Sequence, residues 1–246
     1  MELSAEVFWA PKRGLDPSEY EDAFAPADSG QLSGTRFAFA IADGATEATF
    51  SKLWANALVT EYARTPHDAW TNIAERAAAT WDLEVATKVL PWFAAEKARE
   101  GSFAAFLGLS LLGEGPSPHS WSAVAIGDCC LFQIRRDALL RAFPLDRSEQ
   151  FSSSPMLAPT QARLRESLVV QFASGECVSD DSLLLMSDAL ACWFLAQAER
   201  GMHPWHIVRD LGTVDAPAFE IFIANLRASG ELRNDDCTLL RVDIHL

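Results

Sequence analysis

Three apolar segments of this sequence each carry an aspartate at one end, and this pattern constrains the fold more than any other feature. They are residues 37–42 followed by Asp43, residues 183–186 with Asp188 two positions on, and residues 238–242 preceded by Asp235 and Asp236. Carboxylates that strand ends bring together repel one another unless a cation neutralises them. Oxygen ligands suit hard divalent ions such as Mg²⁺ or Mn²⁺. The pattern therefore predicts a metal site at the rim of a sheet, as in a metal-dependent hydrolase.

The composition is typical of a globular protein with a substantial core. The 246 residues fit one large domain or two small ones, and since no stretch marks a linker we expect a single domain over residues 1–246. Apolar residues make up 49% of the chain, which includes eight tryptophans. The formal net charge of −14 disfavours nucleic-acid backbones and anionic membranes as partners, and it attracts divalent cations.

Several features favour a cytoplasmic protein. No stretch of about 18 uninterrupted apolar residues is present, so we expect no membrane span. Residues 1–6 lack the basic start and apolar run of a signal peptide. The five cysteines are irregularly spaced and mostly lie inside apolar runs, which favours buried, reduced thiols. The sequence predicts no particular oligomeric state.

The hydrophobic periodicity predicts strands, two helices, many strands, more helices and a final strand. Strands are predicted at residues 3–9, 37–42, 103–112, 120–126, 130–134, 138–143, 169–172, 183–186 and 238–244. Helices are predicted at residues 50–62, 67–88 with a continuation to 101, 189–200, 204–211 and 216–228. Arg135, Arg136 and Asp137 predict a hairpin turn, and residues 146–161 an exposed loop or flap. Sheets formed mainly by hairpins, with the helices segregated outside them, indicate an α+β architecture.

Five short acidic motifs accompany these predicted elements. In chain order they are Glu21-Asp22-Ala23, Ala42-Asp43-Gly44, Gly127-Asp128-Cys129, Ser187-Asp188-Ala189 and Asp235-Asp236-Cys237-Thr238. Each motif alone is weak, since an Asp-Gly pair occurs by chance in most proteins. Five of them in this order, spread over residues 22–242, resemble the metal-dependent, type 2C-like Ser/Thr protein phosphatases.

The resemblance implies a four-layer α-β-β-α sandwich of two antiparallel sheets flanked by helices. It also implies two Mg²⁺ or Mn²⁺ ions at one end of the sandwich and, in some members, a third. The resemblance implies that Asp43 bridges both ions and that the Gly44 carbonyl binds one of them. Asp188 and Asp235 would hold one ion, and the Glu21-Asp22 pair would lie beside the other. Asp128 matches the position that, together with the Asp188 position, supports the third ion.

The activity implied is hydrolysis of phosphoserine or phosphothreonine in phosphoproteins. Two divalent ions lower the pKa of a shared water, which then attacks phosphorus in line while the cations offset charge on the phosphoryl oxygens. No nucleophilic side chain is needed. Asp43, Asp188 and Asp235 would carry this chemistry.

The sequence also departs from the family pattern. Residues 45–48 replace the glycine-rich run that follows Asp-Gly in the family. Ala189 stands where the family has a glycine after its Ser/Thr-Asp pair, and Asp235-Asp236 stands where it has Asp-Asn. Pro17 stands where the family commonly has its phosphate-binding arginine. Lys12 and Arg13 are then the nearest cations that could bind the phosphate, and Lys12 is slightly favoured for this role.

Other interpretations stay open at this point. The chain could be a small-molecule phosphatase, a catalytically weak regulator that binds a partner, or an adaptor without metal. Asp188 could act as a helix N-cap, Asp128 as a turn residue and Asp236 as a ligand in place of Asp235. His203 and His206 have a spacing that can bind metal, but with no acidic partner nearby the sequence favours a structural or surface role.

Overall fold

Two antiparallel sheets stacked face to face form the centre of the computed structural model, which describes residues 1–26, 29–113, 119–212 and 216–245. The first sheet has six strands among these residues, in the spatial order β3 (Gly30–Ser33), β1 (Glu2–Ala10), β12 (Cys237–His245), β11 (Ser182–Met186), β7 (Cys130–Arg135) and β8 (Ala138–Phe143). The second has β10 (Gln171–Cys177), β6 (His119–Ile126), β5 (Phe103–Leu112), β4 (Arg36–Gly44) and β2 (Ala23–Ala25), with β9 (Ala158–Pro159) paired to β5.

Helices cover both outer faces of the sandwich. They are α1 (Ser51–Arg64), α2 (Trp70–Ala86), α3 (Trp92–Glu100), α4 (Ala162–Arg165), α5 (Asp188–Glu199), α6 (Pro204–Asp210) and α7 (Ala216–Ala228). Side chains of α1 and α2 pack on the second sheet, and those of α5, α6 and α7 pack on the first. A third apolar cluster fills the space between the sheets. The predicted four-layer α+β sandwich is confirmed.

Most predicted elements appear within a few residues of their expected bounds. The strands that were misplaced or missed lack a clear periodic pattern of apolar side chains. The strand expected at residues 169–172 is instead Gln171–Cys177, an edge strand held by backbone pairing to β6. The short strands β2, β3 and β9 escape prediction because two to four residues show no periodicity. The predicted flap at 146–161 contains a short 3₁₀ helix, Ser148–Gln150, and the whole of β9. Arg136 and Asp137 form the predicted hairpin turn between β7 and β8.

All five cysteines are free thiols, and four of them are buried. No helix in the described part of the chain combines the length and the apolar character that a bilayer crossing requires.

Candidate metal centre

Strand pairing in the second sheet brings three of the acidic motifs to one edge. In the β2–β4 pair Ala23 lies opposite Ala42, so the next step along both strands places Asp22 beside Asp43. Strand β5 pairs with β4 on one side and with β6 on the other, and the Gly127-Asp128 pair follows the end of β6. The edge where β4 and β6 end therefore carries Asp22, Asp43 and Asp128.

The first sheet delivers the remaining motifs to the same end of the sandwich. Met186, the last residue of β11, pairs with Leu239 near the start of β12. The junction beyond this pair is closed by Ser187, whose N–H donates to the Thr238 carbonyl at 3.1 Å and whose hydroxyl accepts the Thr238 N–H at 2.9 Å. Asp188 follows the end of β11 and Asp235 precedes the start of β12, so both lie next to this junction.

Asp236 holds the ends of two segments in place rather than facing outward. Its Oδ1 accepts the backbone N–H of Lys12 at 2.8 Å, and its Oδ2 accepts that of Glu21 at 2.8 Å. The side chain is almost fully buried. Both carboxylate oxygens are thus occupied by backbone donors, which leaves Asp235 as the member of the pair that faces the other carboxylates.

Gly44 lies where no side chain fits. A Cβ at this position would stand 2.9 Å from the Glu21 carbonyl oxygen and 2.9 Å from the Ser51 carbonyl carbon. Both are backbone atoms, so they cannot rotate away as a flexible side chain would. The close approach keeps residues 21 and 22 against the end of β4.

We therefore expect Gly44→Ala to lower the free energy of unfolding by about 1–3 kcal/mol, the usual cost of overpacking. Chemical denaturation measures this change. Gly212→Ala is the matched control, because a Cβ there meets nothing within 4 Å. Equal stability of the two variants would show that the backbone around Gly44 yields freely.

Two buried carboxylate oxygens at this edge have no hydrogen-bond partner among the described residues. They are Asp22 Oδ1 and Asp128 Oδ2, on residues that are only 3% and 4% exposed. The other oxygen of Asp22 accepts the Thr238 hydroxyl at 2.5 Å, and Thr238 in turn contacts the Tyr20 hydroxyl. Buried anionic oxygens without a donor are costly unless a cation lies close to them.

The carboxyl groups of the cluster are difficult to ionise together. Burial raises the pKa of Asp43 to about 7, with further contributions from the charges of Asp235 and Asp128. Burial likewise raises the pKa of Asp128 to about 6, against the opposing charge of Arg233. The pKa of Asp22 lies well above its ordinary value, first through burial and then through the charge of Asp43. These are the shifts expected where carboxylates are crowded without enough positive charge.

Asp188 is the first residue of α5, and Ser187 takes the N-cap position that the sequence offered to Asp188. The Asp188 carboxylate accepts the N–H of Ala189 and forms an ion pair with Arg233. The N-terminus of α5, which is the positive end of its dipole, therefore faces the cluster. The negative charge of the Asp188 carboxylate lies at this same end of the helix.

Two cations lie among the carboxylates. The Lys12 Nζ is 3.1 Å from Asp235 Oδ1 and 3.5 Å from Glu21 Oε2, and it donates to the Thr46 hydroxyl at 2.6 Å. Burial lowers the pKa of Lys12, but the charge of Asp235 and the hydrogen bond to it outweigh burial and hold the pKa above its ordinary value. Arg233 Nε lies 3.6 Å from Asp235 Oδ2 as well as contacting Asp188.

The structure separates the two cations that the sequence proposed for phosphate binding. Lys12 lies in the cluster with 15% of its side chain exposed, whereas Arg13 is exposed and pairs through its backbone with Asn234. Sequence reasoning missed Arg233, although an arginine two residues before Asp235 was a visible signal. Thr46 and Thr238 were also missed, since only the tertiary structure brings them to Lys12 and Asp22.

The residues present fit hard divalent cations. The donor set consists of oxygens, two of its buried oxygens lack partners, and its carboxyl groups outnumber Lys12 and Arg233. Magnesium and manganese prefer such ligands. Asp43, Asp188 and Asp235, with Asp22 and Asp128 beside them, are the side chains that would hold these ions.

A cleft of about 230 Å³ opens beside Asp128, and residues of the 146–161 segment form part of its wall. The two largest of the described cavities, of about 580 and 820 Å³, lie against the α1–α2 and α2–α3 regions. None of the candidate carboxylates lines either of them. Among the described cavities, the small cleft is the one that a candidate carboxylate, Asp128, lines.

Solved structures with the same fold include several phosphatases, whereas no protein-family model and no curated protein matches the sequence significantly. The serine/threonine phosphatase PstP/Ppp of Mycobacterium tuberculosis superposes with a TM-score of 0.63 at 15% identity, with 100% of both chains covered. The catalytic domain of PstP in complex with two manganese ions gives 0.60 at 15% identity, over 99% of this chain and 100% of that one. RsbX in complex with magnesium gives 0.56 at 13% identity, over 98% and 94%. The chain therefore has the fold of the metal-dependent, type 2C-like Ser/Thr phosphatases.

Proposed function

We propose that this protein is a divergent member of that phosphatase family and hydrolyses phosphoserine or phosphothreonine in phosphoprotein substrates. The observation that carries the proposal is the convergence of Asp22, Asp43, Asp128, Asp188 and Asp235 at one end of a phosphatase fold, with buried oxygens that lack partners. Solved proteins of the same fold hold manganese or magnesium, which supports a divalent cofactor.

Asp43, Asp188 and Asp235 would hold two Mg²⁺ or Mn²⁺ ions, with the Gly44 carbonyl and the Glu21-Asp22 pair beside them and Asp128 available for a third. Bound there, the ions would supply an acidified water as nucleophile and positive charge for the phosphoryl oxygens. Asp22 is fixed by Thr238, and Asp236 anchors the backbone of Lys12 and Glu21. These contacts hold the ligand oxygens in place before substrate arrives, which is the preorganisation that catalysis needs.

Lys12 is the residue we propose for phosphate recognition. Its ammonium is charged and adjoins Asp235, so a phosphate beside the ions would lie within its reach. We expect Lys12→Met to lower kcat/KM by about 10–150-fold, which corresponds to the loss of a charged hydrogen bond of about 1.5–3 kcal/mol. Steady-state kinetics should show this mainly as a raised KM if the contact is equally strong in the ground and transition states.

Arg13→Met is the matched control for Lys12→Met, since it removes a neighbouring positive charge from an exposed position. We expect its kcat/KM to stay within about twofold of wild type, as is usual for surface changes. If both variants keep wild-type kinetics, Lys12 has no part in holding the substrate.

The proposed activity is tested by measuring phosphate release from phosphoserine and phosphothreonine peptides and from a generic aryl phosphate, with and without Mn²⁺. Turnover of the peptides that depends on Mn²⁺ supports the proposal. Turnover of the aryl phosphate alone would point to a small-molecule phosphatase on the same fold. Absence of turnover with every substrate at saturating Mn²⁺ would refute the enzymatic proposal.

One observation favours a second candidate, a regulator with weak or no catalysis. Lys12 and Arg233 form ion pairs with Glu21, Asp188 and Asp235, so the chain supplies part of the positive charge that the metals would supply. A regulator of this kind would bind a phosphopeptide without Mn²⁺ and would not hydrolyse it. Binding measured by fluorescence anisotropy in the presence of a chelator separates the two functions.

A further inference from the structure

A second group of potential metal ligands lies at the opposite end of the first sheet. His203 and His206 flank the start of α6, and the hairpin turn between β7 and β8 brings Asp137 to them. One ligand atom from each of the three side chains lies within 4.8 Å of the other two. The sequence interpretation that the two histidines have no acidic partner is therefore wrong, because the partner comes from a residue 66 positions earlier in the chain.

Asp137 is held in an unusual position by the backbone and by α6. Arg136 and Asp137 both have positive φ angles, 47° and 64°, in a two-residue hairpin turn that ordinarily favours asparagine and glycine. The Asp137 carboxylate accepts the indole N–H of Trp205 at 2.8 Å and contacts His206 Nε2. The bond from Trp205, followed by that from His206, lowers the pKa of Asp137, so the carboxylate is charged.

The surroundings of these three side chains are packed and hydrogen-bonded, although the side chains themselves are accessible. Trp205 is 5% exposed and belongs to the apolar cluster under α5 and α6. The guanidinium of Arg241 donates to the carbonyls of Val208, Arg209 and Leu211 at 2.6–3.0 Å, which ties the other end of α6 to β12. About half of each of the Asp137, His203 and His206 side chains is exposed. Solvent ions can therefore reach these three side chains.

The chemistry of this group differs from that of the carboxylate cluster. Two imidazoles and one carboxylate suit borderline ions such as Zn²⁺, which bind nitrogen at about 2.0–2.1 Å with tetrahedral geometry. Donor atoms around such an ion lie roughly 3.4 Å apart, so small side-chain rotations would bring the present arrangement to that geometry. Hydrogen bonding from Trp205 to the ligating carboxylate is the kind of outer contact that orients metal ligands.

We propose that Asp137, His203 and His206 form a second metal site that binds Zn²⁺ or a similar borderline ion, with water as the fourth ligand. The site would join the β7–β8 turn to α6. It lies about 20 Å from Asp128, since the six residues of β7 between them rise about 3.3 Å each. The proposal does not depend on phosphatase activity.

The test is calorimetric titration of the full chain with Zn²⁺ alone as probe, in buffer with enough Mg²⁺ to occupy the carboxylate cluster. We expect wild type to bind one more equivalent of Zn²⁺ than the His203→Ala/His206→Ala double variant. Co²⁺ in place of Zn²⁺ should give the visible absorption of a tetrahedral ion in wild type and lose it in the double variant. At Zn²⁺ about 100-fold above its dissociation constant, the Tm of wild type should rise by roughly 5–10 °C more than that of the double variant.

Two further variants keep the test decisive. Asp137→Asn retains an acceptor for Trp205 and suits the left-handed turn, so the fold survives, yet we expect its Zn²⁺ affinity to fall by at least on the order of tenfold. His67→Ala removes another exposed histidine and should bind Zn²⁺ as wild type does. Equal stoichiometry and affinity in wild type and the double variant would overturn the proposal and leave Asp137 with a purely structural contact.

Discussion

Replacing Asp43 with asparagine should lower kcat/KM with a phosphopeptide at saturating Mn²⁺ by at least about a thousandfold. Asp43 lies at the centre of the cluster, where the charges of Asp235 and Asp128 act on it and Asp22 lies beside it. An amide at this position lacks the negative charge with which the carboxylate would hold the cations, and metal activation of water would contribute several kcal/mol to such hydrolysis. Each 1.36 kcal/mol lost from transition-state stabilisation lowers the rate tenfold.

Asp82→Asn is the control, since it makes the same chemical change on an exposed position of α2. We expect its kinetics and its circular dichroism to equal those of wild type, and we expect Asp43→Asn to keep a wild-type circular dichroism spectrum. Retention of more than about a tenth of wild-type kcat/KM by Asp43→Asn would contradict the assignment of this residue to the metal centre.

Without metal, the protein should become more stable as the pH falls from 8 to about 5.5. The pKa values of Asp43 and Asp128 in the folded chain are about 7 and about 6, whereas both start from an ordinary value of 3.8. In this window the folded state takes up protons that the unfolded state does not, so stability decreases as the pH rises through the folded-state pKa values. Each extra proton is worth about 1.4 kcal/mol per pH unit, which gives a few kcal/mol and a Tm change of roughly 5–10 °C.

Thermal melts in a chelating buffer measure this dependence. Asp16 and Asp181 have lowered pKa values and therefore titrate below this window, so they do not mask the effect. Saturating Mn²⁺ should flatten the dependence, because cations then neutralise the carboxylates, and Asp43→Asn should reduce it in the absence of metal. A metal-free wild type whose Tm is constant from pH 8 to 5.5 would show that the cluster is not under electrostatic strain.

The sequence predicts the fold well where local pattern and tertiary structure agree. Strand β4 is a continuous apolar run that ends at Asp43-Gly44, and α1 follows with apolar residues at helical spacing, so both are visible without coordinates. Strand β10 is different. Its residues 174–176 are Ser, Gly and Glu, and it exists because its backbone groups pair with β6 rather than because its side chains are apolar.

The residues of the candidate sites also differ in whether a local sequence pattern predicts them. Asp43, Asp188 and Asp235 are predictable because each adjoins the end of a predicted strand, and strand ends gather at a sheet edge. Asp22 adjoins β2, which shows no periodicity, so Asp22 and Asp128 follow only from the family resemblance. The contacts of Arg233 with Asp188 and of Asp137 with His206 are not predictable in this way. Each joins loops whose separation in space depends on the packing of helices against the sheet, and no periodicity in the sequence reports that packing.

The position of β12 has a consequence for how the protein matures during synthesis. This strand inserts between β1 and β11, and the residues just before it supply Asp235, Asp236 and the Thr238 hydroxyl that fixes Asp22. Until a ribosome has released residues 235–245, β1 and β11 are open edges and the carboxylates of the N-terminal half have no partners from this segment. If the proposed function holds, a chain that lacks β12 lacks Asp235 and the Thr238 contact to Asp22, so we expect it to be aggregation-prone rather than partly active.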